Sequence, residues 1–489
     1  MLKLKPVNLK KETIKTLVVP VCEDQDIHDD RILSSLVKKA LAIKEFKGGK
    51  DEDITFYNPP EVKSERVIFL GLGKLEKIEP ELLRQMAGRA VKKCTTKNLS
   101  EILIAVPAAK KIKLEMQTVL EAMLEGGFLG NHTFDKYKKD KKHKPLKKID
   151  FMVKPEVAKK FGKLSSRVAT VCKGTILARE WVNTPSNHKR PDQFTRSIVT
   201  YAKKEELKVT VLAEKDLRQK KFGAILAVGA GSSSKPRMIV LEYSPKKAKK
   251  TVAFVGKGVT FDSGGINLKS TAALKAMKSD MSGAAIVAAT LITVAKQKPA
   301  LKVIGVIPVV ENMPSGNAYR PGDIIKSYDG KTVEIGNTDA EGRLILIDAM
   351  SYIVKKYKPE TLIDVATLTG ACAVALGDKI AGVFSFDDKL AEAIVASGKK
   401  THERCWQLPL PEDYKELLKS DLADIHNVSS SSWGGAITAA LFLSEFVGNT
   451  RWAHIDIAGP AYNDKESAYC GAGGTGFGVR LLCDLLEKP

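Results

Sequence analysis

Nowhere in the 489 residues do two cysteines form a Cys-x-x-Cys pair. The seven present, Cys22, Cys94, Cys172, Cys372, Cys405, Cys470 and Cys483, stand far apart and are odd in number. This argues against a disulfide framework and fits reduced thiols in a cytosol, most of them small core residues. Histidine is scarce too. None of the seven forms His-Glu-x-x-His, and His454, on a predicted strand, reads as a packed residue. No run of about eighteen apolar residues exists, so no membrane span is expected. The opening stretch Met1-Leu-Lys-Leu-Lys-Pro-Val-Asn-Leu-Lys-Lys11 carries charges where an export signal needs an apolar core, so the expected location is cytoplasmic.

Hydrophobic residues make up 44% of the chain and charged residues 28%, as in a soluble globular protein, and the length calls for at least two domains. Lys and Arg number 79 against 57 Asp and Glu, a net charge of +22. Nucleic acid or an acidic surface is one reading of that excess. A solvated, lysine-rich surface is the preferred one, because general basicity carries no geometry. The densest block, Lys136-Tyr-Lys-Lys-Asp-Lys-Lys-His-Lys-Pro-Leu-Lys-Lys148, reads as a solvated hairpin or linker.

Short apolar runs alternate with helical patterns from the start. Thr16–Pro20, Ser64–Gly73, Ser100–Val106 and Ile149–Val153 read as strands, and Glu81–Cys94 as a helix with Pro80 at its start. Gly71-Leu-Gly73 lacks a third glycine and reads as a tight turn, not a dinucleotide site. The first domain is expected over 1–160, with a boundary near 155–170. A second α/β pattern follows over 165–489: a helix from Val168 to Trp181, β-branched strands at Val209–Leu212, Met238–Tyr243, Thr251–Val255, Val303–Val310, Leu362–Ala366 and His454–Ala458, and helices at Ser282–Ala295, Leu344–Tyr357 and Ala436–Phe446. A large sheet with helices on both faces places its site at the carboxyl ends of the strands.

Three stretches carry the chemistry: Val255-Gly-Lys-Gly-Val-Thr-Phe-Asp-Ser-Gly-Gly-Ile-Asn-Leu-Lys269, Met277-Lys-Ser-Asp280 and Asn337-Thr-Asp-Ala-Glu-Gly-Arg343. Asp262, Asp280, Asp339 and Glu341 lie among small residues, and carboxylate clusters without histidine suit hard or borderline divalent ions. Any one of these acids alone reads as a surface group or helix cap. Lys257, between two glycines after a buried strand, must pair or lose its proton, and a neutral amine is a metal ligand. Lys269 suits a developing oxyanion. Arg343 presents a fork for a carboxylate, phosphate or small oxyanion, with a salt bridge to Glu341 or Asp339 as the equally weighted alternative. Lys278 reads as a solvated surface residue.

These stretches resemble the leucyl aminopeptidase (cytosol aminopeptidase) family. Asn337-Thr-Asp-Ala-Glu-Gly-Arg-Leu344 matches its eight-residue signature throughout, and Lys257–Gly265 and Met277–Ala285 match as well. The resemblance runs from Asn183-Thr-Pro through Ala366–Gly370 and Gly434–Ala440 to Gly476–Arg480, and is looser in the first domain, chiefly at Gly126–Gly130 and Phe134–Lys138. It implies a macro-like N-terminal α/β domain serving oligomerisation or regulation, and a larger catalytic domain with a mixed sheet covered by helices on both faces. It further implies an exopeptidase that releases N-terminal residues, leucine and other apolar ones first, with two divalent ions per subunit: zinc, manganese or magnesium. Lys257, Asp262, Asp280 and Glu341 would bind the tighter ion, and Asp262, Asp339 and Glu341 the exchangeable one. Lys269 and Arg343 would be catalytic, with a bicarbonate on Arg343 as general base. Met277, Thr367, Gly370 and Ala458 would line the pocket for the first side chain; without the resemblance they read as core.

The resemblance also implies a homohexamer acting on peptides and, as in some bacterial members, DNA binding as a second role. A two-metal phosphoesterase is the other reading of paired ions and Arg343; the lysine ligand and the absence of histidine ligands argue against it. The sequence departs from the family pattern at Asn267 and Ser270 around the catalytic lysine, at Arg190 before Pro191, and at Ser429–Ser432, where a Gly-rich loop is usual.

Overall fold

The computed structural model describes residues 2–487 apart from 142, 143 and 249, in two compact units. The first comprises residues up to Cys172 together with Lys465–Gly471; the second comprises Lys173–Asp464 and the C-terminal stretch from Ala472. The division falls inside the helix Leu164–Asn183, past the start expected for it.

In the first unit six strands form one sheet: β1 (Leu2–Lys5), β2 (Leu17–Val21), β3 (Asp53–Tyr57), β4 (Arg66–Gly71), β5 (Glu101–Ala105) and β6 (Lys148–Met152), in the order β1-β6-β5-β2-β4-β3. All pairings are parallel except β3 with β4. β2 is buried along its length, as an apolar run without alternation requires of a central strand. The helices Pro80–Thr96 and Met116–Gly130 pack at backbone distance: a Cβ on Gly126 would lie 2.0 Å from the Arg84 carbonyl oxygen. The glycines at 126–130 therefore serve helix packing. Gly73 has φ +79°, and its N–H donates to the Gly48 carbonyl 25 residues earlier, so the stretch after β4 is tied to a distant segment and not closed as the tight turn expected from sequence. The described residues of the basic block are exposed except Leu146, whose main chain is held on both sides by the Asn131 side chain; Lys142 and His143 lie outside the described residues.

The second unit is built on a nine-stranded mixed sheet. Its strands are β7 (Lys208–Leu212), β8 (Arg237–Tyr243), β9 (Thr251–Gly256), β10 (Gly258–Asp262), β11 (Lys302–Asn312), β14 (Thr361–Ala366), β15 (Ala381–Phe384), β16 (Cys405–Gln407) and β18 (Arg451–Asp456). A small sheet joins β12 (Ile324–Lys326), β13 (Thr332–Glu334) and β17 (Ile425–His426). The large sheet runs β16-β15-β18-β14-β9-β11-β8-β7, with β10 alongside β11. Its centre, β18, β14, β9 and β11, is parallel, so four carboxyl ends emerge at one edge. Helices Ser282–Gln297 and Glu341–Tyr357 both pack on β9 and β11, each with its own helical neighbours, and so cover the two faces. Both are buried nearly all round, which explains their weak amphipathic pattern.

The helix Glu341–Tyr357 starts a turn before the expected Leu344. The apolar periodicity marks the buried stripe, whereas the first turn holds the polar residues Glu341 and Arg343, and a carboxylate there is favoured by the helix dipole. His454 is fully buried with Nδ1 2.6 Å from Asp364 Oδ1, a packed residue as read from sequence, and Asp364 Oδ2 also accepts from Trp452 Nε1. Among the described residues no helix is long and apolar enough to cross a membrane.

Asp348 ties these layers together. It is fully buried, and its two oxygens accept from Ile225 N (3.0 Å) and Tyr328 N (2.7 Å), fastening the helix Gly223–Gly229 and the turn after β12 to the Glu341 helix. Burial pushes its carboxyl up to about 7, against the pull of those N–H groups. Asp348→Ala leaves two buried donors without acceptors and is expected to lower unfolding free energy by about 2–5 kcal/mol in a urea titration. The native carboxyl lies above the unfolded one at about 3.9, so this group makes wild-type stability fall as pH rises from about 4 to 7, and the variant loses that slope.

Candidate metal centre and active site

Lys257 occupies the single position between β9 and β10. Its N–H donates to the Val365 carbonyl of β14, and its own carbonyl accepts from Ala284 N on the Ser282 helix. The side chain then runs past Gly342, where a Cβ would lie 2.6 Å from Lys257 Cε, so only glycine lets it through. Lys257 Nζ ends 2.8 Å from Asp280 Oδ1 and 2.8 Å from Glu341 Oε1, and donates to the Thr367 carbonyl at 2.9 Å.

Asp262, at the end of β10, Asp280, after the turn Met277–Ser279, and Glu341, in the first turn of its helix, are all buried. They offer ligand atoms that lie within 4.8 Å of one another. Asp339 is not part of this trio; it is joined to it by Lys269, whose Nζ is 2.5 Å from Asp339 Oδ1 and 2.9 Å from Asp262 Oδ2. The turn that aims Lys269 depends on Gly264, whose φ of +88° and 2.3 Å approach of a notional Cβ to the Asn267 carbonyl admit no side chain.

Burial is the largest influence on Glu341, Asp280, Asp339, Lys257 and Lys269. It raises the Glu341 and Asp280 carboxyls, with the neighbouring Asp262 adding to the rise and Lys257 opposing it. It raises Asp339 as well. Burial pulls Lys257 down, but Asp280, Glu341 and Asp262 outweigh it and hold the ammonium above the usual lysine range; Asp262 and Asp339 do the same for Lys269. Four carboxylates against two ammonium groups leave an excess of negative charge. Asp280 Oδ2 and Glu341 Oε2 are buried with no hydrogen-bond partner among the described residues. An orphaned carboxylate oxygen is costly. Oxygen donors converging on such a point fit a divalent cation.

Arg343 is buried, which pushes its guanidinium down to about 10. Its Nη1 donates to the Asn427 carbonyl at 2.8 Å rather than to Glu341 or Asp339, and its Nε has no partner. The intramolecular salt bridge weighed from the sequence is absent among the described residues, and most of the fork stays open to an anion.

Of the four residues that the resemblance implies for the first-residue pocket, three follow strand ends. Thr367 stands just after β14, Gly370 opens the helix Gly370–Leu376, and Ala458 stands just after β18. Asp456 gathers them: it accepts from the N–H groups of Leu368, Thr369 and Ala458 and from the Thr369 hydroxyl. Met277 opens the turn that leads to Asp280. Thr367 also belongs to the cage, because its hydroxyl donates to Asp280 Oδ1 at 2.7 Å. Lys278 is half-buried, not fully solvated, with Nζ 5.9 Å from the centre of the Tyr462 ring.

Sequence reading passed over the residues that hold the acids in place. Asn312, the register partner of Asp262 on β11, donates from Nδ2 to Asp262 Oδ1 (2.9 Å) and to the Thr338 carbonyl (3.0 Å), which also accepts from Tyr319. Asn267 and Thr338 exchange main-chain to side-chain hydrogen bonds, and Asn427 does the same with 336 and 337. The available signal was position: Glu311-Asn312 ends a central strand at the edge where the acids converge.

Comparison with known proteins agrees with this geometry. Residues 176–483 match the catalytic domain of the cytosol aminopeptidase family, and residues 18–141 match its N-terminal domain. The chain is 42% identical over 498 residues to a "Probable cytosol aminopeptidase" of Chlorobium phaeobacteroides, covering 98% of each chain. It is 40% identical over 459 residues to one of Cenarchaeum symbiosum, covering 93% of this chain and 92% of that one. Among solved structures it is similar to "Bottromycin maturation enzyme BotP in complex with Mn", with 32% identity, a TM-score of 0.87, and coverage of 97% of this chain and 99% of that one. With both domains matched and relatives aligned almost end to end, the chain belongs to the cytosol aminopeptidase family.

Proposed function

We propose that this aminopeptidase uses two divalent ions to release N-terminal residues from peptides, with leucine and other apolar residues preferred. The observation that carries the reading is the buried cage itself: Asp262, Asp280 and Glu341 converge within 4.8 Å, two of their oxygens lack partners, and Lys257 is driven among them. Lys257, Asp262, Asp280, Asp339 and Glu341 are the residues that would hold zinc, manganese or magnesium, and manganese in a solved relative supports the same occupant here. Bound there, the ions supply a water of lowered pKa and an electrophile for the scissile carbonyl, and a bicarbonate on the open fork of Arg343 supplies a proton acceptor.

The protein's own groups do the rest. Lys269 is held protonated by its acids and reaches the cage from the side less enclosed by protein, where it donates a hydrogen bond to an oxygen that gains charge. Arg343 stays anchored through Nη1, so its free edge keeps one orientation. Thr367, Gly370 and Ala458 are small, and Asp456 anchors Ala458 together with the Leu368–Thr369 pair between the other two, which leaves room beside the cage for an apolar side chain. The peptide's amine must come to the acids for its carbonyl to reach Lys269, which restricts attack to the first residue.

Thorough chelation, verified by elemental analysis, is expected to abolish hydrolysis of leucine p-nitroanilide, and added Mn²⁺ or Zn²⁺ to restore it. Activity persisting in metal-free protein contradicts the reading, as does turnover of a phosphate ester but no leucyl amide. Lys269→Met and Arg343→Met are each expected to retain bound metal while kcat falls by about 10²–10³; a loss of metal together with activity would instead assign them a structural part.

A further inference from the structure

Lys189 is 2% exposed, and among the described residues no carboxylate pairs with it. An ammonium buried without an acid is costly, and an apolar side chain of similar length would pack there without that cost. Burial and the nearby Lys278 push its ammonium well below the usual lysine range, and the carbonyls around it counter that push. Nζ donates to the carbonyls of Trp181 (2.9 Å), Val182 (3.1 Å) and Lys278 (2.7 Å), and lies 3.2 Å from Met281 Sδ. An ammonium has three hydrogens and a neutral amine only two, so three carbonyl acceptors match the charged form. Trp181 and Val182 are in the last turn of the helix Leu164–Asn183, whose unsatisfied carbonyls form the negative end of the helix dipole.

The third carbonyl matters for the site. Lys278 is the middle residue of the turn Met277–Ser279, which presents Met277 to the pocket and delivers Asp280 to the cage. The other main-chain ties of that turn are local: Ser279 N and Oγ to the Ala276 carbonyl, and Ser282 Oγ to the Ser279 carbonyl. Thr367 and Lys257 hold the Asp280 side chain, but a one-turn 3-10 segment whose other main-chain hydrogen bonds are all local is a weak support for a ligand. Lys189, 89 residues before Lys278 in sequence, fastens it to the end of a long helix.

We propose that Lys189 is a positioning residue, a buried brace that fixes the Met277–Asp280 turn and thereby sets both the affinity of the metal cage and the shape of the first-residue pocket. The inference rests on the cage reading above. It is tested by calorimetric titration of Mn²⁺ into metal-free wild-type protein, Lys189→Met and Lys189→Gln, with KM and kcat for leucine p-nitroanilide measured at saturating Mn²⁺. Lys189→Met is expected to bind Mn²⁺ about tenfold to a hundredfold more weakly, the range for lost support behind a ligand, and to raise KM. Lys189→Gln, which can still donate to two carbonyls, is expected to fall between. A variant that melts at lower temperature yet keeps wild-type Mn²⁺ affinity and KM overturns the proposal. Wild-type protein that takes up no Mn²⁺ at all overturns the cage reading and the brace with it. Should both variants fail to fold, amide exchange in metal-free wild type decides: protected Ser279 and Asp280 amides support the brace, and unprotected ones overturn it.

Discussion

Like charges confined to one buried pocket repel, and at low dielectric the repulsion is severe. The second unit brings Asp262, Asp280, Glu341 and, through Lys269, Asp339 to one edge of its sheet, and the architecture around them answers that repulsion. Lys257 and Lys269 each bridge two of the acids. Asn312 donates to the second oxygen of Asp262, and Thr367 to the Asp280 oxygen that Lys257 also contacts. Removing one partner of a buried ionic network costs far more than the network gains by forming, so such a cluster locks its members together rather than adding stability. The strand order places them: β9, β11, β14 and β18 are parallel, and the loops at their carboxyl ends supply Lys257, the Asn312 support, the Thr367–Gly370 segment and Ala458.

The sequence disclosed the acids and the lysines because each sits in a stretch whose composition makes no sense as surface. Lys257 stands between glycines after an apolar strand, and Asp339 and Glu341 stand in a glycine-ended turn before a helix. Central strands were legible for the same reason, as unbroken β-branched runs. The supports were not. Asn312, Thr338, Asn427 and Lys189 each act in part through contacts with residues 26 or more positions away, and nothing local to an asparagine or a lysine reports which distant carbonyl it will meet. Short edge strands such as β3 and β16 also escaped, since three to five residues carry too little pattern to stand out from a loop. The helix start at Glu341 was misplaced because buried periodicity and helix onset are different signals.

The Arg343 environment shows how a structure resolves a tie that composition leaves open. Two carboxylates lie within four residues of it in sequence, and an ion pair to either would have used the guanidinium up. The Glu341 carboxylate turns instead to Lys257, and Asp339 to Lys269, so each acid is matched to a lysine and the arginine is left over. A main-chain carbonyl anchors one nitrogen without neutralising the charge. A buried cation so placed keeps an unmet demand for an anion, which is the ground for the oxyanion proposed above.

The two ends of the cage differ in a way that bears on ion exchange. At the Lys257 end, the partners Asp280 and Glu341 are 6% and 1% exposed, so a cation there loses nearly all its water and gains full, unscreened attraction. At the Lys269 end, Asp339 is 33% exposed and the lysine itself 16%. Water remains there to solvate a departing ion and to screen its attraction to the acids. On the two-ion reading proposed above, this asymmetry in exposure would make an ion held at the Lys257 end slow to exchange and one held at the Lys269 end labile.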